Sequence, residues 1–346
     1  MKPDSSFIPA EFFSSETRLD FEIPETMKRA WAIQLTLLHQ VLEIAQRNHI
    51  KLWLDYGSLL GAVRHNGYVP WDDDIDICME RPNYMRFLFI LEKELPEYCR
   101  IRSFYTTPGY DQPKAFISNR DKIDLGGIRP MQLEATSESL TPSDIATQSD
   151  QPASSTKVDA SNATPLSEAD ITDIYYGLPY VAGIDLYPLD YVPKRQEKWE
   201  LIRQIYTAVY DLAMDYEKYK NAGELEGYIE QLEDLLNVKV KRDGDVRFEL
   251  WKLADSVAQM TTRAEASSML WYPDAVMRSN DMRRPISAYN ETIETDFEML
   301  KAPIPAGFKE VLSACYGSSF MTPVRQVSTH DYPFYKMQQE YIDRCR

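Results

Sequence analysis

The chain has 346 residues, 44% of them hydrophobic, with 6 Trp and 22 Tyr, enough to bury a substantial core in one large domain or two ordinary ones. Its formal net charge of -16 argues against a general nucleic-acid or anionic-membrane surface, because both need clustered Lys and Arg. Any phosphate it binds is therefore held locally, by a few side chains or backbone amides.

The N-terminal MKPDSSFIPAEFF lacks a basic stretch followed by an apolar one, and no apolar run approaches the ~20 residues that span a bilayer. The sequence thus predicts a cytoplasmic protein with no integral membrane segment. From Pro24 and Thr26 onward, Trp31, Leu35, Leu38, Leu42 and Ala45 fall at helical spacing, which predicts an amphipathic helix over about 26–48 whose role is core packing. KLWLDYGSLLGAV then reads as a short apolar strand, a turn at Gly57-Ser58, and a helix or second apolar element. After the loop RHNGYVP, the run DIDICM alternates Asp with Ile and reads as a strand, and Pro82 opens a helix that continues to about Leu95. Residues from about 130 to 170 turn to Ser, Thr, Asp, Ala and Pro with few large apolar side chains, a disordered or loosely packed insertion longer than ordinary loops. YYGLPYVAGIDLYPLDYVP reads as strand and turn, with Asp185 between Ile184 and Leu186 in the strand and Asp190, after a proline, in the turn. A long helix is expected over about 194–222, carrying Ile202, Ile205, Val209, Leu212 and Tyr216 on one side, with shorter helices near 224–236 and 245–262. The C-terminal third alternates short elements with Pro-rich turns, and no internal repeat is visible. Cys78, Cys99, Cys315 and Cys345 are far apart and form no CxxC or Cys/His cluster, so they read as reduced thiols.

GYVPWDDDIDICM, residues 67–79, crowds Asp72, Asp73, Asp74 and Asp76 together immediately before core residues. In a strand alternate side chains share a face, so Asp74 and Asp76 point one way, with Asp72 aligned if the strand begins early, while Ile75 and Ile77 point into the core. Asp73 then faces the other side, as a bystander or a helper to the turn. Carboxylates held that close repel unless a cation neutralises them, and hard oxygen ligands favour Mg²⁺ or Mn²⁺ over zinc. An acidic run alone is as often a solvated loop. Here it follows Gly57-Ser58, a turn that can offer backbone N–H groups to a phosphate. An EF-hand loop starting at Asp72 fails, because its sixth and twelfth positions are Ile77 and Asn83 instead of Gly and Glu. A glycosyltransferase DxD site, at Asp72 and Asp74 or at Asp74 and Asp76, stays open, and so does an ordinary strand-end role for Asp185.

LDYGSLLGAVRHNGYVPWDDDIDICM resembles the LicD family, which includes fukutin and fukutin-related protein, and GIDLYPLD (183–190) and YGSSFMTPVRQVSTHDYPF (316–334) match the same pattern. The resemblance implies an α+β fold, a nucleotidyltransferase-like core with a mixed β-sheet flanked by helices plus a helical C-terminal region. In this chain that core would take residues 26–128 and 171–346, after an N-terminal segment 1–25 and around the insertion 129–170. The implied activity is transfer of a phospho-alcohol, of the phosphocholine or phospho-polyol class, from a CDP-linked donor (CDP-choline or a CDP-polyol) to a glycan hydroxyl. The acceptor would be a glycan or lipid-linked saccharide, in cell-surface polysaccharide, lipopolysaccharide or teichoic acid modification. Carried over by position, Gly57 and Ser58 form the donor phosphate turn, Asp74 and Asp76 the metal pair, and Asp185 the third acid, as metal ligand or base. Asp72 joins them directly or through water, Arg64 supplies a basic group between turn and acidic strand, Arg325 neutralises phosphate, and His330 assists the acceptor or caps a turn. Lys114, Arg120, Arg278, Arg283 and Arg284 are further candidates for phosphate contact. No Cys/His cluster matches the zinc-binding insertion of the fukutin-related branch. Two other readings accompany this one: transfer of the nucleotide itself from a nucleoside triphosphate, and a non-enzymatic cation-binding interaction protein.

Overall fold

The computed structural model describes residues 7–120, 176–325 and 332–345, so the insertion at 129–170 and His330 lie outside the described residues. A small hairpin, β1 (Glu16–Arg18) and β2 (Phe21–Ile23), leads through the extended Pro24 into α1 (Glu25–Arg47). Free of internal Gly and Pro, α1 runs close to its predicted bounds, and Trp31, Leu35, Leu38 and Val41 are wholly buried along it.

The central sheet is mixed. Its strands are β3 (Trp53–Leu54), β4 (Asp76–Glu80), β5 (Arg100–Arg102), β6 (Ala115–Ser118) and β7 (Gly183–Pro193), in the order β3-β4-β7-β6-β5. β8 (Ala266–Leu270) pairs with the far end of β7, and β9 (Arg284–Pro285) pairs with β8. Only β4 and β7 run parallel among these pairs; the rest are antiparallel. α2 (Tyr56–His65) fills the connection from β3 to β4, and α3 (Arg81–Glu94), with proline in its first turn, follows β4.

Asp190 is not the turn residue that the preceding proline suggested. It lies inside the eleven-residue β7 and is buried. Pro188 is tolerated for a geometric reason: Asp185 N–H points to β4, at Ile75 O, so the even-numbered amides of β7 point to its other edge. On that edge β6 ends opposite Leu186 and β8 begins opposite Asp190, so position 188 falls in the gap between partners and needs no donor.

The helix predicted over 194–222 is two helices, α4 (Gln196–Met214) and α5 (Tyr216–Ala222), parted at Asp215, whose backbone leaves helical geometry. Apolar periodicity runs through that break because both helices bury one side, and so it hides the join. With α6 (Leu225–Leu236) and α7 (Val246–Ala258), α4 encloses a second core around Tyr206, Val209 and Trp251, separate from the core under the sheet. Helices therefore concentrate in mid-chain. The C-terminal region, expected to be helical, is mixed: α8 (Asp274–Met277), a hairpin of β10 (Thr292–Phe297) and β11 (Leu300–Pro305), then α9 (Phe308–Tyr316) and α10 (Lys336–Cys345). Cys78, Cys99 and Cys315 are free thiols. Among the described residues no helix is long and apolar enough to cross a membrane.

Candidate metal centre

β4 begins at Asp76, not at Asp74, so Asp74 stands in the loop that delivers the chain to the sheet. The two still converge, because the loop is fixed by its backbone. Trp31 Nε1 donates to Asp72 O at 3.1 Å, and Gln34 Nε2 donates to Asp73 O at 2.7 Å, so α1 grips the acidic run from below. Tyr68, stacked on Trp31 with ring centroids 4.3 Å apart, donates its hydroxyl to Gln34 Oε1 and locks that amide's orientation. Asp76 N–H donates to Ser58 Oγ at 2.8 Å, which ties the start of β4 to the first turn of α2.

Asp76 and Asp185 are register partners across the parallel pair, so their side chains share a face of the sheet. One carboxylate oxygen each from Asp74, Asp76 and Asp185 lies within 4.8 Å of the others, and Asp72, Asp73 and Asp74 form a second such group. Asp76 is 6% exposed, and its Oδ1 is buried with no hydrogen-bond partner. Burial first, then Asp74 and Asp185, push its carboxyl well above the ordinary carboxylate range. Burial, Asp74 and Asp73 push Asp72 the same way. A hard divalent cation fits this donor set: it satisfies the orphaned oxygen and removes the like-charge repulsion that the three carboxylates otherwise carry.

Gly57 and Ser58 sit in the first turn of α2, capped by Asp55, whose carboxylate accepts from Tyr56 N–H. A Cβ at Gly57 would overlap Asp72 Oδ2, so glycine is what lets the carboxylate approach the helix start. Beneath the turn, Arg284 Nη1 donates to both oxygens of Asp55, at 2.8 and 2.6 Å, and Tyr56 donates to Asp274 at 2.5 Å. Arg284, offered by the sequence as a phosphate contact, is wholly buried in this support. Asp73 is no bystander either. It is fully buried, and its Oδ2 accepts from Phe334 N–H at 2.5 Å, fastening the C-terminal segment against the acidic loop.

The basic candidates scatter. Arg64 donates to Phe320 O and, through Nε, to Nε2 of His65. Arg325 is exposed, its guanidinium 4.6 Å from the Phe21 ring centre. Arg120 donates to the carbonyls of Leu178 and Pro179, Arg283 pairs with Asp281, and Arg278 lies on the surface against Asp274. Lys114 is bonded to an acid of the centre, with Nζ 2.8 Å from Asp185 Oδ2. The support from Gln34 and Asp55 was not anticipated from the sequence, although each leaves a signal: a polar residue on the buried stripe of α1, and an Asp directly before a helix.

Residues 49–169 match the family described as LicD/FKTN/FKRP, nucleotidyltransferase domain. The chain is 37% identical over 78 residues to the lipopolysaccharide cholinephosphotransferase LicD of Haemophilus influenzae, a match covering 22% of this chain and 29% of that protein. It is 35% identical over 88 residues to an uncharacterized protein of Rickettsia typhi, covering 25% of this chain and 28% of the other. With an uncharacterized protein of Rickettsia prowazekii it shares 51% identity over 62 residues, 18% and 22% of the two chains. The matches thus span less than a third of each relative's length.

Proposed function

We propose that this chain, a member of the LicD/FKTN/FKRP nucleotidyltransferase-domain family, is a divalent-cation-dependent transferase that moves a phospho-alcohol from a CDP-linked donor to a glycan hydroxyl. The observation that carries this reading is the pairing of Asp76 with Asp185 across parallel strands, with Asp74 converging on them and one buried Asp76 oxygen lacking a partner. Asp74, Asp76 and Asp185 would hold Mg²⁺ or Mn²⁺, which supplies charge neutralisation for the donor diphosphate and for the CMP that leaves. Ser58 holds the Asp76 backbone, and the glycine at 57 keeps the first turn of α2 open to close approach, where a helix start favours a phosphate. Asp185 acts as the third ligand, because its register with Asp76 aims both carboxylates into one space. The similarity to a cholinephosphotransferase is a reason to test phosphocholine first among the phospho-alcohols, with phospho-polyols beside it.

A second reading, transfer of a nucleoside monophosphate from a triphosphate, draws on the nucleotidyltransferase description of the matching domain. A thermal-shift screen of CDP-choline, CDP-ribitol, CDP-glycerol and nucleoside triphosphates, with and without Mg²⁺, separates the two, since a ligand stabilises the native state it binds. A Mg²⁺-dependent shift with a CDP-alcohol, followed by CMP release in the presence of acceptor, supports the first. Pyrophosphate release from a triphosphate supports the second and overturns the first.

A further inference from the structure

We propose that Lys114 is a positioning residue that couples cation loading to phosphate binding at the acidic centre; this deepens the functional reading above and rests on it. Lys114 immediately precedes β6, whose Ala115 and Phe116 lie opposite Leu186 and Asp185 on β7. Side chains alternate along both strands, so Lys114 emerges on the same face as Asp185 and Tyr187. Its Nζ lies 2.8 Å from Asp185 Oδ2 and 3.4 Å from the Tyr187 hydroxyl, and 5.4 Å from the centre of the Tyr187 ring. The lysine and aspartate side chains are only 15% and 13% exposed, so water screens this pair far less than a surface pair.

The placement sets two cations in competition. Asp185 is shared between the ammonium and any metal ion that also takes Asp76 and Asp74. An ammonium a few Å from a bound divalent cation repels it, so Lys114 weakens metal binding while the centre holds no phosphate. A phosphate arriving at the centre offers the ammonium a new anionic partner, frees the Asp185 oxygen and removes the repulsion. Lysine suits this exchange better than arginine, being a compact charge on a flexible stem that can change partners without giving up a bidentate grip. Cation and phosphate then each favour the binding of the other, and the coupling is reciprocal.

Calorimetric titration of Mn²⁺ into the full chain tests this, alone and in the presence of inorganic phosphate or CMP. Lys114→Met should bind Mn²⁺ alone roughly tenfold more tightly than wild type, the order expected for removing one like charge at short range. The tightening of Mn²⁺ by inorganic phosphate, present in wild type, should shrink by a similar factor in Lys114→Met and be kept in part in Lys114→Arg, which retains the charge but exchanges partners less readily. Mn²⁺ affinity that is unchanged or weaker in Lys114→Met, with or without a loss of melting temperature, overturns the proposal, since a merely structural ion pair gives that result. Wild-type Mn²⁺ affinity that inorganic phosphate leaves unmoved also overturns it. If phosphate strengthens Mn²⁺ binding and CMP does not, the coupling through Lys114 stands and the CDP-donor reading falls.

Discussion

At one end of the β4–β7 pair, Asp76 and Asp185 face each other; at the other, Asp190 of β7 meets Arg81, the first residue after β4. Both clusters are acidic, but in the first only Asp76 is buried, with Asp74 and Asp185 half-buried, and their chemistry differs. Arg81 donates to both oxygens of Asp190, at 2.8 and 2.6 Å, and reaches Asp255 at 2.9 Å, while Tyr105 and Gln259 donate to the remaining Asp255 oxygen. There Arg81 stands between two carboxylates and offsets much of their charge, although its own Nη1 is buried without a hydrogen-bond partner, and the cluster joins the sheet to the helical core around α4 and α7. At the acidic end a buried Asp76 oxygen has no hydrogen-bond partner, and burial together with Asp74 and Asp185 raises its pKa. The difference lies in the countercharge: an arginine bridges the carboxylates at the Asp190 end, whereas Asp76 has Asp74 and Asp185 as neighbours, a donor set that a cation fits.

The contrast can be broken by substitution. Asp76→Asn should lower turnover by roughly 10³-fold, the scale on which charge stabilisation of a transition state operates. The same variant should melt no lower than wild type in metal-free buffer. An acid whose folded pKa is raised binds more protons folded than unfolded between the two values, so it destabilises the folded state at neutral pH, and a neutral amide relieves that. Asp190→Asn should instead cost about 1–3 kcal/mol of stability, because it removes the charge from one of the two carboxylates that hold the buried Arg81 guanidinium and leaves Asp255 as its ionic partner. Urea unfolding of both variants side by side decides the matter: equal destabilisation would erase the distinction between the two ends.

Further effects sharpen it. Ser58→Ala removes the acceptor for Asp76 N–H and should cost about 1–3 kcal/mol in stability, read from the urea midpoint, together with weaker Mn²⁺ binding. The smallest effect lies at the end of α2, just before the loop that carries the acidic run. Burial, with the Arg64 and Arg18 charges, pulls His65 down to about 4 from its ordinary 6.5. Its folded pKa being depressed, the unfolded chain takes up the proton first, so this group's contribution is intact above about 6.5 and is lost as pH falls toward 4. Urea midpoints at pH 7 and pH 5 should therefore differ less in His65→Gln than in wild type; an identical difference would sink the assignment.

Much of the candidate site was legible because its signal is local. Four aspartates against a strand of Ile, with Gly57-Ser58 upstream, announce crowded carboxylates wherever the chain goes. The long helix α1 was legible for the same reason, since its period lies within a few turns. The break at Asp215 was not, because periodicity reports a buried face and is silent about whether two short helices share it. Asp190 was misread because the rule for proline in strands depends on which neighbours pair at that position, and the gap between β6 and β8 cannot be seen in β7 alone.

The sequence by itself determined the chemical inventory: an acidic run of hard oxygen donors, a glycine at a helix start, and the resemblance those letters carry. Tertiary structure decided which acids converge on one space and which serve as supports. Asp185 reaches Asp76 through the β4–β7 register, Asp73 is spent on the Phe334 amide, and Arg284 lies beneath the turn with Asp55. Lys114 comes to Asp185 from 71 positions away. The physical reason is that a carboxylate's role is set by the cations, donors and water around it, and only the folded chain fixes those neighbours.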